Sequence, residues 1–442
     1  MQVTSSYKVK LRGEKAAIKN TTKIYQKAVE YLIGVVDVEW QTLSVIYDGS
    51  TQKAQSVVEQ MVHGTKNNPW PKYDFDSAFY KLPSYFRRAA ISAALGAVSS
   101  YRSLLKNWED TCRTGKKPKL AVKRNAMPVF FKDNMSRSDA MLIGQSENVE
   151  LKLYNGSDWV WVSIPCRKQD VKYLVNHWQG VNASAPTLVA ERKPAHKDVY
   201  YLRYAFEEKC DLSLHDQPLK STSILAVDLG INTDAVCSVM KSDGTVVARK
   251  FIDFPMEKDR LYHLLNRIKR LQREHGPATG GTHEWAKARR LNEDLARKIS
   301  LAIIDFALLY GVNTIVFEYL DMQKKKRGSK KQRLHMWRKM DIQHRVEHQA
   351  HRQLIRVSHI CAQGTSRLAF DGSGRLERNH HNHALAVFAN GKQYNCDLSA
   401  SYNIGARYFL REWCKSDPSL EGFLPKTSQR VWAHLRNLSC AA

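Results

Sequence analysis

The chain has 442 residues, of which 69 are Lys or Arg and 43 are Asp or Glu, giving a formal net charge of +26; 43% of the residues are apolar. So large an excess exceeds what solubility requires and points to a polyanionic partner, because each phosphate neutralised by Lys or Arg releases condensed counterions. No apolar run approaches the roughly 18 residues that span a bilayer, and MQVTSSYKVKLRGEK lacks a signal peptide's apolar core, so no membrane partner is expected and the cytoplasm is the expected location.

The eight cysteines are scattered without any C-x-x-C pair, and are expected to be reduced and mostly buried. The 10 Trp and 19 Tyr serve mostly as core, with some available to stack on bases.

In chain order, VTSSYKVKLR alternates as a strand does, and from Lys19 the spacing of Ile24, Ala28, Tyr31, Leu32 and Val35 is helical. After the turn-rich stretch His63 to Asp76, a helix is predicted behind Pro83, with Phe86, Ala90, Ala94, Val98, Tyr101 and Leu105 on one face. Arg87, Arg88 and Arg102 lie off that stripe, where they either reach a phosphate backbone or form a solvated helix face. From Gly115 the pattern turns β-rich, with strands predicted at Val129 to Phe131, Val149 to Tyr154, Trp159 to Ile164 and Val199 to Phe206. His215 to Ser223 connects this region to an α/β region that runs nearly to the end.

Three segments of that region carry acids at telling places. In ILAVDLGINTDAVCSVM a continuous apolar strand ends in Asp228, and in NTIVFEYLDM another ends in Glu318. In YNCDLSASYNIGARYFLRE, Asp397 opens a helix whose buried stripe is Ala400, Ile404 and Tyr408. Singly, each acid has an ordinary reading: a strand end beside a glycine turn, a surface carboxylate, an N-cap. Together, on so basic a chain, they suit two divalent cations, Mg2+ by its preference for hard oxygen and Mn2+ as a substitute, and they favour a nuclease that hydrolyses phosphodiesters.

VDLGINTDAV (227 to 236), VFEYLDM (316 to 322) and NCDLSASYNIGAR (395 to 407), together with LPSYFRRAAISAALGAVSSY and AQGTSRLAFDGSG, resemble the TnpB family of transposon-encoded RNA-guided DNA endonucleases and their relatives, the miniature type V CRISPR effectors. The first three are similar to that family's first, second and third RuvC motifs. The resemblance implies a multidomain α+β fold: a first wedge strand (1–18), a helical recognition domain (19–114), a wedge β-barrel (115–215), an RNase H-like (RuvC) nuclease domain in two parts (216–358 and 394–414) around a target-nucleic-acid-binding insert (359–393), and a tail (415–442). It also implies a metal-binding catalytic triad of Asp228, Glu318 and Asp397, a guide RNA, of transposon or CRISPR type, and a double-stranded DNA target read beside a short adjacent DNA motif. The protein would then be prokaryotic and nucleoid-associated when bound to DNA. Oligomeric state is left open. The family's paired C-x-x-C zinc ribbon is missing: the stretch from Thr365 to Cys396 holds one cysteine, so His380, His381 and His383 are read as a solvated loop, no zinc is expected, and the insert is expected to be a metal-free hairpin turning at FDGSG and NGK.

Two basic segments extend this reading. Lys324 to Arg333 holds seven basic residues in ten; Lys324, Lys325, Lys326 and Arg327, with Trp337 for stacking, are candidates for gripping a single strand. The helix DRLYHLLNRIKRLQRE buries Leu261, Leu264, Leu265, Ile268 and Leu271 and turns Arg267, Lys269, Arg270 and Arg273 outward, suited to following a heteroduplex backbone. The competing functions are a nuclease-inactive RNA-guided DNA-binding repressor, a DNA transposase and, more remotely, an actin-like sugar kinase.

Overall fold

The alternation at the N-terminus forms strand β1 (Gln2–Lys10), which turns Val3, Ser5 and Val9 inward. The computed structural model describes residues 1–111, 115–122, 126–193, 197–215, 218–276, 280–319, 338–378, 382 and 384–416. The chain divides after Glu208 into two units, Gln2–Glu208 and Lys209 onward with Met1.

In the first unit, helix α1 (Lys15–Val38) buries Tyr25, Ala28, Leu32, Val35 and Val36 at helical spacing, then gives way to α2 (Trp40–Gly49) and α3 (Thr51–Val62). Ser50 caps α3, its side chain accepting from the Lys53 N–H. Behind the short α4 (Phe75–Ala78), α5 (Ser84–Asp110) packs along α1 through Phe86, Ala90, Ala94 and Val98, as its spacing predicts. Arg87 departs from the expectation. It lies on the buried side of α5 rather than off the stripe, because Glu59 on α3 meets its guanidinium there at 3.0 Å.

The strands that follow are β2 (Ser136–Arg137), β3 (Asn148–Tyr154) and β4 (Trp159–Pro165), with α6 (Asp139–Leu142) between the first two. Next come α7 (Lys168–Trp178), β5 (Thr187–Lys193) and β6 (Lys197–Lys209). They form two three-stranded sheets, β1-β6-β5 and β2-β3-β4, with an antiparallel bridge from Leu11 to Cys166 beyond the ends of β1 and β4. The predicted strand at Val129 to Phe131 shrinks to a single bridge from Val129 to Thr187. Both segments begin at a proline, Pro128 and Pro186, whose carbonyls accept from Leu188 and Phe130 but which have no N–H to carry the ladder further. Helix α7 was not expected in this region, although Val171, Leu174 and Trp178 recur at helical spacing and are buried.

The second unit is built on a five-stranded sheet in the order β11-β10-β7-β8-β9. Strands β7 (Ser223–Asp228), β8 (Ala235–Lys241) and β9 (Val246–Ile252) form an antiparallel meander. Strand β10 (Thr314–Tyr319) runs parallel to β7, and β11 (Arg356–Cys361) runs parallel to β10. Two apolar layers cover the sheet. On one face Leu225, Val227, Ile315 and Phe317 meet Leu295, Ile299 and Ile303 of α9 (Thr282–Leu309) and Ile342 and Val346 of the helix Lys339–Arg352. On the other, Ile224, Ala226 and Val316 meet Leu398, Tyr402, Ile404 and Phe409 of the closing helix Cys396–Ser416. Burial on both faces explains why β7 and β10 read as unbroken apolar runs. Helix α8 (Pro255–His275) buries Leu261, Leu265 and Ile268 against α9 and stops at Gly276, whose φ is +79°.

Between β11 and the closing helix lies a small antiparallel sheet of β12 (Glu377–Arg378), β13 (Leu385–Val387) and β14 (Gln393–Asn395). NGK turns β13 into β14, and FDGSG turns ahead of β12 inside a bridge from Leu368 to Arg375; Asp371 accepts from the Ser373 N–H and from the Asn390 side chain. Phe370, Phe388, Tyr394 and Tyr402 pack as an aromatic cluster beneath them, with Lys392 over two of the rings. His380, His381 and His383 lie outside the described residues. Cys166, Cys210, Cys237, Cys396 and Cys414 are buried and Cys361 is exposed. Among the described residues no helix is long and apolar enough to cross a membrane.

Candidate functional site

The pairing of β7 with β10 sets Thr314 beside Ile224 and Phe317 beside Val227, so one residue further on Asp228 and Glu318 end neighbouring parallel strands at the same edge. The pleat alternates sides, and Ile224, Ala226 and Val316 belong to the layer under the closing helix. Asp228 and Glu318 therefore turn toward that same face, and the closing helix carries Asp397 in its first turn. Gly405 lets this helix lie close to β7: a Cβ there would sit 3.3 Å from Cβ of Ala226 and under 3 Å from the tip of Met240. The turn after Asp228 is equally tight, because a Cβ on Gly230 would stand 2.5 Å from the Thr233 carbonyl oxygen. Sequence-predicted residues from three distant segments thus share one place.

The electrostatics of that place are unusual. Burial pushes the Asp228 carboxyl well above the ordinary aspartate range, and the charges of Glu318 and Asp397 push it the same way against Arg378 and Lys339. Burial also raises Glu318, which the Thr365 hydroxyl and the charges of Lys339 and Arg407 only partly oppose. Asp397 is raised by burial against the pull of Arg378. Lys339, 3% exposed, is held down to about 8 by burial in spite of Glu318 and Asp228. Among the described residues no three His, Cys, Asp or Glu side chains gather tightly enough to hold an ion as they stand. The charges of Glu318 and Asp397 repel the ionised form of the buried Asp228. The donor set is hard oxygen throughout and matches magnesium or manganese chemically.

Glu318 is also held from outside the triad. Its backbone carbonyl accepts from Gln343 Nε2 at 3.2 Å and its carboxylate accepts from Thr365. Sequence reasoning missed both partners, as well as Arg378, Lys339 and Arg407. Arg378 sits on the two-residue strand β12, and its guanidinium reaches the Ser366 carbonyl at 3.4 Å, next to the residue that binds Glu318. Arg407, one turn beyond Asn403 on the closing helix, donates to the Cys361 carbonyl at the end of β11 at 2.7 Å. Nothing in the local sequence around Arg378 marks it; only the return of the insert brings it to the acids.

The other sequence-predicted residues are placed as follows. Arg87 and Arg88 both bind the Glu59 carboxylate, at 3.0 and 3.1 Å, Arg87 buried and Arg88 half exposed. Arg267 and Arg270 extend from α8 into solvent, with loose acidic neighbours in Glu284 at 3.6 Å and Glu274 at 3.8 Å. Lys324, Lys325, Lys326, Arg327 and Trp337 lie outside the described residues.

The arrangement can be set beside known proteins. The chain is similar in fold to a Cas12f1 solved by cryo-electron microscopy in its complex with sgRNA and target DNA. The two are 14% identical, with a TM-score of 0.51, over 88% of this chain and 81% of that one. Weaker likenesses are to the Alicyclobacillus acidoterrestris C2c1 bound to single-guide RNA (10% identity, TM-score 0.46, 89% of this chain and 65% of that one) and to the mini-RNA-guided endonuclease CRISPR-Cas_phi3 (11% identity, TM-score 0.45, 92% of each chain). A family model described as Aq_aa04 matches residues 3–155. No curated protein matches the chain.

Proposed function

We propose that this chain is an RNA-guided DNA endonuclease whose chemical centre is Asp228, Glu318 and Asp397. The observation that carries the proposal is the register that sets two strand-end acids side by side on the face closed by the helix bearing the third. A mixed sheet with its acids at these points fits the RNase H-like arrangement that the three motifs imply. The fold likeness to Cas12f1 and the charge of +26 support guide RNA and DNA as the partners.

In this reading Asp228, Glu318 and Asp397 would hold magnesium, which supplies a hydroxide-like water and neutralises charge building on the phosphate. Arg378 offers a planar, permanently charged donor beside Asp228 and Asp397 for a non-bridging phosphate oxygen. Lys339 lowers the repulsion between Asp228 and Glu318 from within the fold. The buried walls of the site keep bulk water from screening these charges.

The test is cleavage of a plasmid carrying a sequence matched to the RNA that copurifies with the protein. In magnesium the wild type is expected to cut, leaving 5′ phosphates, and Asp228→Ala is expected to bind the same target without cutting. Binding without cleavage by the wild type would instead identify a repressor. Joined strand ends would identify a transposase, and a preparation without RNA would remove the guided mechanism.

A further inference from the structure

We infer that Thr365 is a positioning residue for Glu318, fixed in place by Asn403; this rests on the nuclease reading and deepens it. Thr365 lies in the loop that leaves β11 for the insert, is fully buried, and donates its hydroxyl proton to Oε1 of Glu318. The Ala362 carbonyl, 3.0 Å from the same hydroxyl, is a second acceptor competing for its single proton, so the hydroxyl alone does not fix its own rotamer. A loop alone would not keep a hydroxyl there. Asn403, 2% exposed on the closing helix, donates from Nδ2 to the carbonyls of both Thr365 and Leu368, each at 2.9 Å. Carbonyls only accept, so the two amide hydrogens of Asn403 account for both bonds and fix which way the amide faces.

The consequence follows from connectivity. Asn403 lies two turns beyond Asp397 on one helix, so a single rigid element carries the third acid and also pins the loop that orients the second. Gln343 holds the Glu318 backbone from the opposite side. With one carboxylate oxygen engaged by Thr365, Glu318 keeps its other oxygen for a ligand. Partners that orient a ligating carboxylate in this way are commonly worth 10–100-fold in metal affinity.

The experiment titrates Mn2+ into the full-length chain and reads bound ion by electron paramagnetic resonance, alongside thermal melting and cleavage as a function of Mg2+. Thr365→Val keeps the side-chain shape and removes the donor. It is expected to weaken Mn2+ binding by about 10–100-fold and to raise the Mg2+ needed for half-maximal cleavage in proportion, with the rate at saturating metal within about threefold of wild type. Thr365→Ser is expected to restore wild-type behaviour. Asn403→Leu, which cannot donate to either carbonyl, is expected to follow Thr365→Val, and Asn403→Asp, which when protonated donates to one carbonyl at most, decides the matter if either of those variants does not fold. Wild-type Mn2+ affinity in Thr365→Val or in folded Asn403→Leu or Asn403→Asp overturns the assignment while leaving the nuclease reading intact. Mn2+ binding by the wild type no different from that of Asp228→Ala overturns both.

Discussion

Buried acids behave in opposite ways in the two units. Asp170, on α7 of the first, is 1% exposed, yet every lone pair it offers is met: Tyr7 and the Lys10 N–H donate to it, and Arg167 clamps it with two more bonds. Burial alone would raise its carboxyl, but Arg167, the Lys10 N–H and Tyr7 outweigh burial and hold it below the ordinary range. Asp228 is almost as buried and has the reverse surroundings, with two further acids facing it. The first acid is neutralised within the fold and is structural. The second keeps a repulsion that Arg378 and Lys339 only partly offset, and under the proposed function a bound cation would neutralise it.

That contrast is most directly broken by removing each acid in turn without metal. Asp170→Ala strands the Lys10 N–H, the Tyr7 hydroxyl and the Arg167 guanidinium, and is expected to cost the first unit about 1–3 kcal/mol in denaturant unfolding. Asp228→Ala relieves repulsion and is expected to leave the second unit as stable as before or more so. The pH dependences differ in sign as well. Asp170 contributes stability above the ordinary aspartate value of about 3.9, and that contribution disappears as pH falls through its depressed folded value. Asp228, raised in the fold, favours the folded state at low pH and loses that contribution as pH rises through its folded value. Amide exchange resolved by unit, in chelator, checks both slopes; parallel slopes would remove the distinction.

A change that touches no acid comes next. Gly230→Ala drives a Cβ to 2.5 Å from a backbone oxygen, so the turn after Asp228 must move while the apolar strand before it stays packed. Cleavage is expected to fall about 100-fold, as misplacement by about an ångström commonly costs. The thermal midpoint should shift far less than in Asp170→Ala. Equal losses of stability and activity would mean the turn serves the fold rather than the site.

The sequence made one half of this contrast legible and hid the other. Asp228 and Glu318 were visible because an apolar strand that ends in an acid breaks its own pattern, and Asp397 because a helix start is marked locally. That they meet depends on strand order and register, which no local pattern encodes. Arg378, Thr365 and Asn403 were invisible for a plainer reason: an arginine on a two-residue strand, a threonine in a turn and an asparagine inside a buried helix each look ordinary until the chain returns. In the first unit the strand expected at Val129 to Phe131 shortens to one bridge beside Pro128 and Pro186, and α7 was missed inside a β-rich region although its inward spacing was readable.

The same contrast extends, with smaller effects, to the cations. The helical stripe on α5 suggested that Arg87 points outward like Arg267, but a carboxylate on the neighbouring helix draws Arg87 into the core and occupies its donors. An arginine so engaged cannot release counterions from a nucleic acid without breaking its own pair. Arg267 on α8 remains largely in solvent with its acidic neighbour at 3.6 Å, and such exposed pairs are worth little. Arg267→Ala is therefore expected to weaken nucleic-acid binding only a few-fold and to reduce the slope of log affinity against log salt by about 1, with no change in melting. Arg87→Ala should do the opposite, lowering stability while leaving the salt slope alone. If both variants changed the slope equally, internal pairing would not be what divides structural from binding cations in this chain.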